Sequence, residues 1–169
     1  MRGARVVKEV EVLLPEAVLD ELEREAERTF PNETGGVLLG YRDCEDAALV
    51  QVMFQIGSGP NAVHERHRFE PDSAWQQDQI ALAYVQSGRI ATYLGDWHSH
   101  PKGSLRLSKL DRDTARRIAR YKQARARRPI MLVLCGGPEN WNAAGHCAGR
   151  WCLRSTRTTV VPGDASAVR

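Results

Sequence analysis

The stretch Asp96-Trp97-His98-Ser99-His100-Pro101, continuing as KGSLRLSKLDRD to Asp113, organises the whole chain. Two histidines stand two residues apart, a serine follows at 108 and an aspartate at 111. If residues 96–100 are extended, His98 and His100 project from one face, because strand side chains alternate with period two, and Ser99 points away. Both imidazoles then reach one ion. Pro101 stops regular continuation, and the chain doubles back to bring in a third group. Ser108 reads as a helix N-cap with Asp111 three positions on, so SKLD is an acceptable capping motif as well as a possible source of a ligand. A catalytic zinc takes three protein ligands and keeps one position open.

Working outward, residues 89–97 read as the strand that delivers the histidines, and Ser108 to about Arg127 as a basic helix ended by Pro129. The run PIMLVLCGG (130–137 with Pro129) reads as a central strand buried on both faces. Upstream, residues 5–14 alternate apolar and charged as a first strand, and a helix begins at Pro15 with Val18, Leu19, Leu22 and Ala26 on its apolar face. ETGGVLLGYR and ALVQVMFQI read as two further strands, with glycines 35 and 36 permitting close approach. Residues 57–73 lack periodicity and read as a long loop of the kind that is often functional. A helix over about 71–87 is started by Asp72 or Ser73 and stopped by Gly88. GRWCLRSTRTTVV supplies one more strand, and residues 162–169 a frayed tail. The mixture predicts an α/β (α+β mixed) sheet packed by about three helices.

Length and composition fit one domain, residues 1–161, with a core large enough to need no disulfide. The mean hydropathy of −0.45 is that of an ordinary globular protein. No apolar run approaches the roughly 20 residues of a membrane span, and no signal-peptide core forms, which places the protein in the cytoplasm. Cys44, Cys135, Cys147 and Cys152 fit that compartment as free thiols, and HCAGRWC (146–152) lacks a fourth ligand for a second zinc. The net charge of +3 is unevenly placed: residues 102–128 carry eleven Lys or Arg against two Asp.

The pattern HSHPKGSLRLSKLD resembles the motif of the JAB/MPN metalloproteases, also called JAMM, at every defining position, and ETGGVLLG resembles their upstream segment bearing the catalytic glutamate. The resemblance spans about residues 9–160, and GDWHSHP is similar to the bacterial branch. It implies a JAB/MPN-like (cytidine-deaminase-like) curved mixed sheet. It also implies that His98, His100 and Asp111 hold one Zn2+ per chain with water as fourth ligand. Glu33 would take a proton from that water, and Ser108 would donate to the oxyanion. Ser99 stands behind these, bonded to backbone or substrate near the metal. The implied activity is that of a zinc metallo-isopeptidase, cutting after the C-terminal tail of a ubiquitin-like protein. Such enzymes are similar to those encoded beside E1-like and E2-like enzymes in anti-phage conjugation operons. Two alternatives stay open. A JAB hydrolase can release an amino acid from a sulfur-carrier protein. The basic helix also offers a nucleic-acid surface, against which its cations spread around the helix with no interleaved aromatic platform.

Overall fold

The structure is a computed structural model that describes residues 8–149 and 152–163. The expected tail from 164 onward and the part of the expected first strand before residue 8 lie outside the described residues. Strand β1 (Glu11–Pro15) leads into helix α1 (Glu16–Thr29), with Pro15 at its N-cap. Strands β2 (Gly35–Arg42) and β3 (Leu49–Ile56) follow, then a small hairpin of β4 (Val63–Glu65) and β5 (Arg68–Glu70). Helix α2 (Ser73–Gln86) precedes β6 (Thr92–Pro101), and helix α3 (Lys109–Arg120) precedes β7 (Ile130–Gly137). Strands β8 (Asn140–Ala148), β9 (Leu153–Ser155) and β10 (Arg157–Val161) complete the order.

Eight strands form one mixed sheet in the order β10-β1-β3-β2-β6-β7-β8-β9. Only Thr156 separates β9 from β10 in the chain, yet these strands occupy opposite edges of that order, so the sheet must curl until its edges nearly meet. Two observations fit this. The Thr156 N–H donates to the Gly145 carbonyl at 2.9 Å. A Cβ on Gly145 would lie 2.3 Å from Thr156 Oγ1 and 2.7 Å from Thr158 Oγ1, so only glycine permits β10 to pass that closely.

Helix α1 fills one face of the sheet. Its Val18, Leu22 and Ala26, spaced four residues apart, pack on Val12, Leu14, Leu38, Val50, Leu132 and Leu134. The other face carries α2, whose Ile80 and Ala83 meet Val37 and Leu39, and α3, whose Ala115 meets Met131 and Val133. Strand β7 thus has apolar neighbours on both faces, as its unbroken apolar run predicts.

Strand β6 is the element that sets the site. Leu94 and Trp97 both enter the α1-side core although they are three residues apart, which strict alternation forbids. A register shift between Leu38 and Leu39 of β2 accommodates the extra residue. Gly95 lies there at φ +154°, and a Cβ on it would sit 1.8 Å from the Ile130 carbonyl oxygen. The bulge re-aims everything after it, so Asp96, His98 and His100 face the α2/α3 side while Trp97 and Ser99 face the core.

Three local expectations are corrected. The 57–73 loop contains the β4–β5 hairpin. Helix α3 stops at Arg120, because Tyr121 turns extended and Arg125 adopts φ +52°, and only a 3-10 turn at Lys122–Ala124 continues it. Strand β8 was not expected, and the C-terminal segment forms two short strands rather than one.

Candidate metal centre

His98 and His100 lie on β6 with Nε2 atoms 2.9 Å apart, and each Nε2 is 3.4 Å from Asp111 Oδ2. Two donors about 2.0–2.1 Å from one tetrahedral ion stand roughly 3.4 Å apart, so the two imidazole–carboxylate spacings fit a zinc-sized ion, while the imidazole pair stands closer than that. The donor chemistry agrees. His100 Nδ1 is 2.8 Å from the Ser104 carbonyl, a bond that puts the proton on Nδ1 and leaves the Nε2 lone pair facing the other two groups. These three residues are the only convergent group of metal-binding side chains among the described residues.

The doubling-back that brings Asp111 into place is fixed at several points. Lys102 N–H donates to the Gly136 carbonyl, and Lys102 itself turns at φ +56°. His146 Nε2 bonds the Leu105 carbonyl at 3.0 Å, and Leu107 is buried beneath α3 against Met131 and Val133. His146 therefore anchors the loop. Ser108 then caps α3: its Oγ accepts from the Asp111 N–H at 3.1 Å, and the Ser108 N–H donates to Asp111 Oδ2 at 2.6 Å. The sequence alternatives of cap and ligand are thus one geometry, since the same Oδ2 starts the helix and faces both imidazoles.

Electrostatics follow from this packing. Burial alone would raise Asp111, but His100, His98 and Ser108 hold it well below the ordinary carboxylate range. Burial alone would lower His100, but Asp111 and the Ser104 carbonyl hold it above its usual value. Burial pushes the Glu33 carboxyl up, against the pull of His100 and His98.

One cavity of about 630 Å³ is lined by Glu33, His98, His100, Ser108 and Asp111 together, so five residues from three separate segments share one space. Ser99 is absent from its lining, fully buried on the opposite side of β6. Sequence reading missed several neighbours. His67 and Phe69 of the hairpin and Arg117 of α3 form walls, and Asp96 lines the floor. Asp96 accepts from Tyr93 Oη at 2.6 Å, and burial raises both groups. His64 bonds the Glu33 carbonyl through Nδ1 at 3.0 Å and stacks on Phe69. The period-two offset of Asp96 from His98 was the one available signal; none pointed to His64.

Residues 15–147 match the profile of the prokaryotic homologues of the JAB domain. The chain belongs to the prokaryotic JAB family. This JAB domain is 43% identical over 131 residues to a probable metalloprotease of Sinorhizobium fredii, covering 77% of this chain and 79% of that one. It is 25% identical over 130 residues to a CD-NTase/cGAS isopeptidase of Enterobacter hormaechei, covering 75% and 68%. It is 31% identical over 109 residues to one from Vibrio cholerae, covering 64% and 65%. The solution structure of protein DSY2949 from Desulfitobacterium hafniense shares the JAB domain's fold, with a TM-score of 0.68 at 19% identity over 90% of this chain and 94% of that one. No helix among the described residues is long and apolar enough to cross a membrane.

Proposed function

We propose that this JAB domain is a zinc-dependent isopeptidase or peptidase that cleaves after the C-terminal tail of a ubiquitin-like protein. The observation that carries the reading is the convergence of a His-His-Asp cluster, a half-buried glutamate and a serine hydroxyl in one cavity. The metalloprotease and isopeptidase relatives support it. Ubiquitin-like precursors and conjugates are the proposed partners, with E1-like and E2-like enzymes acting upstream.

His98, His100 and Asp111 would hold the ion. A zinc ion supplies Lewis acidity and lowers the pKa of water from 15.7 to about 7. Glu33 takes a proton from the attacking water and delivers it to the leaving amine, and the burial that raises its pKa suits a group that must both accept and return a proton. Ser108 donates its hydroxyl to the carbonyl oxygen as charge builds there, a contribution typically of about 3–4 kcal/mol in the transition state. The β4–β5 hairpin and α3 wall the cavity on two sides, and an extended tail lying between them would gain main-chain hydrogen bonds. Residues 57–70, which include the hairpin, are proposed to clamp it.

Elemental analysis and cleavage of a ubiquitin-like protein bearing a C-terminal extension test the reading together. The expected result is about one zinc per chain, lost in His100→Ala and Asp111→Ala, with extension release by wild type alone. Absence of metal after reconstitution would sink the metal site. Zinc binding with no cleavage of extended or conjugated tails, but release of an amino acid from a sulfur-carrier protein, would replace the substrate.

A further inference from the structure

Among the described residues, the Glu33 carboxylate accepts no hydrogen bond, so its aim depends on its backbone. Four bonds hold that backbone. Glu33 N–H donates to the Glu65 carbonyl at 2.8 Å, and the Glu33 carbonyl meets His64 Nδ1 at 3.0 Å. On the core side, Ser99 N–H donates to the Thr34 carbonyl at 2.8 Å, and Thr34 N–H donates to Ser99 Oγ at 3.0 Å. Regular pairing of β2 with β6 ends at Gly35 and His98. One step further, a continued ladder would take the Thr34 N–H to the Ser99 carbonyl; the hydroxyl takes it instead. Both Thr34 and Ser99 are fully buried, so water cannot substitute for that acceptor.

From this geometry we infer that Ser99 is a positioning residue, whose hydroxyl fixes the spacing between Glu33 and the two flanking histidines. The inference rests on the catalytic reading of Glu33. Ser99 sits in the one place where a rigid link can join them: its neighbours on either side are His98 and His100, and its side chain reaches the residue after Glu33 from behind the strand. Ser99 touches neither substrate nor metal in this arrangement. A hydroxyl acceptor on a short side chain is available only from serine or threonine. Losing it leaves the Thr34 N–H buried and unpaired, and the segment must move to recover a partner. A misplacement of the order of 1 Å at a reacting group costs about a hundredfold in rate.

The test compares zinc-loaded wild type with Ser99→Ala, Ser99→Cys and Ser99→Thr. Cysteine keeps the volume with a weak acceptor, so it serves if the alanine variant does not fold. Three quantities are read: zinc per chain, kcat and KM on the extended ubiquitin-like protein, and hydrogen exchange of the Thr34 amide by NMR. Alanine and cysteine are expected to lower kcat by about ten- to a hundredfold, with KM and zinc content unchanged, and to expose the Thr34 amide. Threonine should restore amide protection and bring kcat to within about threefold of wild type. An exposed amide with normal kcat would overturn the inference, as would loss of zinc in step with activity. If wild type itself cleaves no tail, the functional reading fails separately. Crystal structures of zinc-loaded wild type and Ser99→Cys then decide, and an unmoved Glu33 in the variant overturns the inference.

Discussion

Asp111 Oδ2 has two duties, as the acceptor for the Ser108 N–H and as the third member of the metal cluster. Glu33 has neither, and so Glu33→Ala should abolish turnover while about one zinc per chain remains, as elemental analysis beside a cleavage assay would show. Ser108 caps α3, and its chemical duty is the proposed one. Ser108→Ala should lower kcat by on the order of a hundredfold through the lost oxyanion donor. It should also cost about 1 kcal/mol of stability through the lost cap, read by urea unfolding. A kcat change under threefold would take Ser108 out of the chemistry. At this scale the sequence was legible where spacing has a physical meaning: His-x-His fixes a shared strand face, and Ser-x-x-Asp fixes a helix start. His64 was illegible because a ring nitrogen bonded to a backbone carbonyl, 31 residues away, leaves no trace in any periodicity.

Between residue and fold stands the bulge of β6, which decides which way the histidines face. Gly95→Ala places a methyl group 1.8 Å from the Ile130 carbonyl, where backbone rather than a movable side chain is the obstacle. We expect it to cost more than about 3 kcal/mol, read from the urea midpoint. A loss below 1 kcal/mol would mean that β6 and β7 separate there without penalty. On the opposite face, Leu22→Ala should cost about 2–5 kcal/mol with an unchanged urea m-value, since Leu22 is fully buried. The helix starts were readable from Asp72 and Ser108, both of which cap in the structure. The end of α3 was not. YKQARARR is made of good helix formers, and nothing in it announces the extended Tyr121 or left-handed Arg125. Strand β8 escaped notice because NWNAAGHCA has weak alternation and owes its strand form to pairing with β7 along its length.

For the molecule as a whole, the metal cluster ties β6 to α3, two elements whose other contacts are modest. An ion bound only by the native state stabilises it by about 2.7 kcal/mol at a hundredfold excess over Kd. Chelation is therefore expected to lower Tm by about 5–10 °C, with recovery on adding zinc and no shift in His100→Ala. A wild-type Tm indifferent to chelator and zinc would remove the ion from the fold's energetics. The sheet was legible as mixed and helix-packed, but its closure was not, because no local pattern reports that segments 153–155 and 157–161 join opposite edges. That closure also imposes an order in time. The segments bearing Glu33, His98, His100 and Asp111 are synthesised well before β10, which seals β1, and before β9, which seals β8. A nascent chain can hold its complete chemical inventory while both sheet edges still lie open to other strands, a state prone to pairing with the wrong chain. Until residue 161 has left the ribosome, the domain possesses the residues of its candidate site without yet possessing a closed fold to hold them.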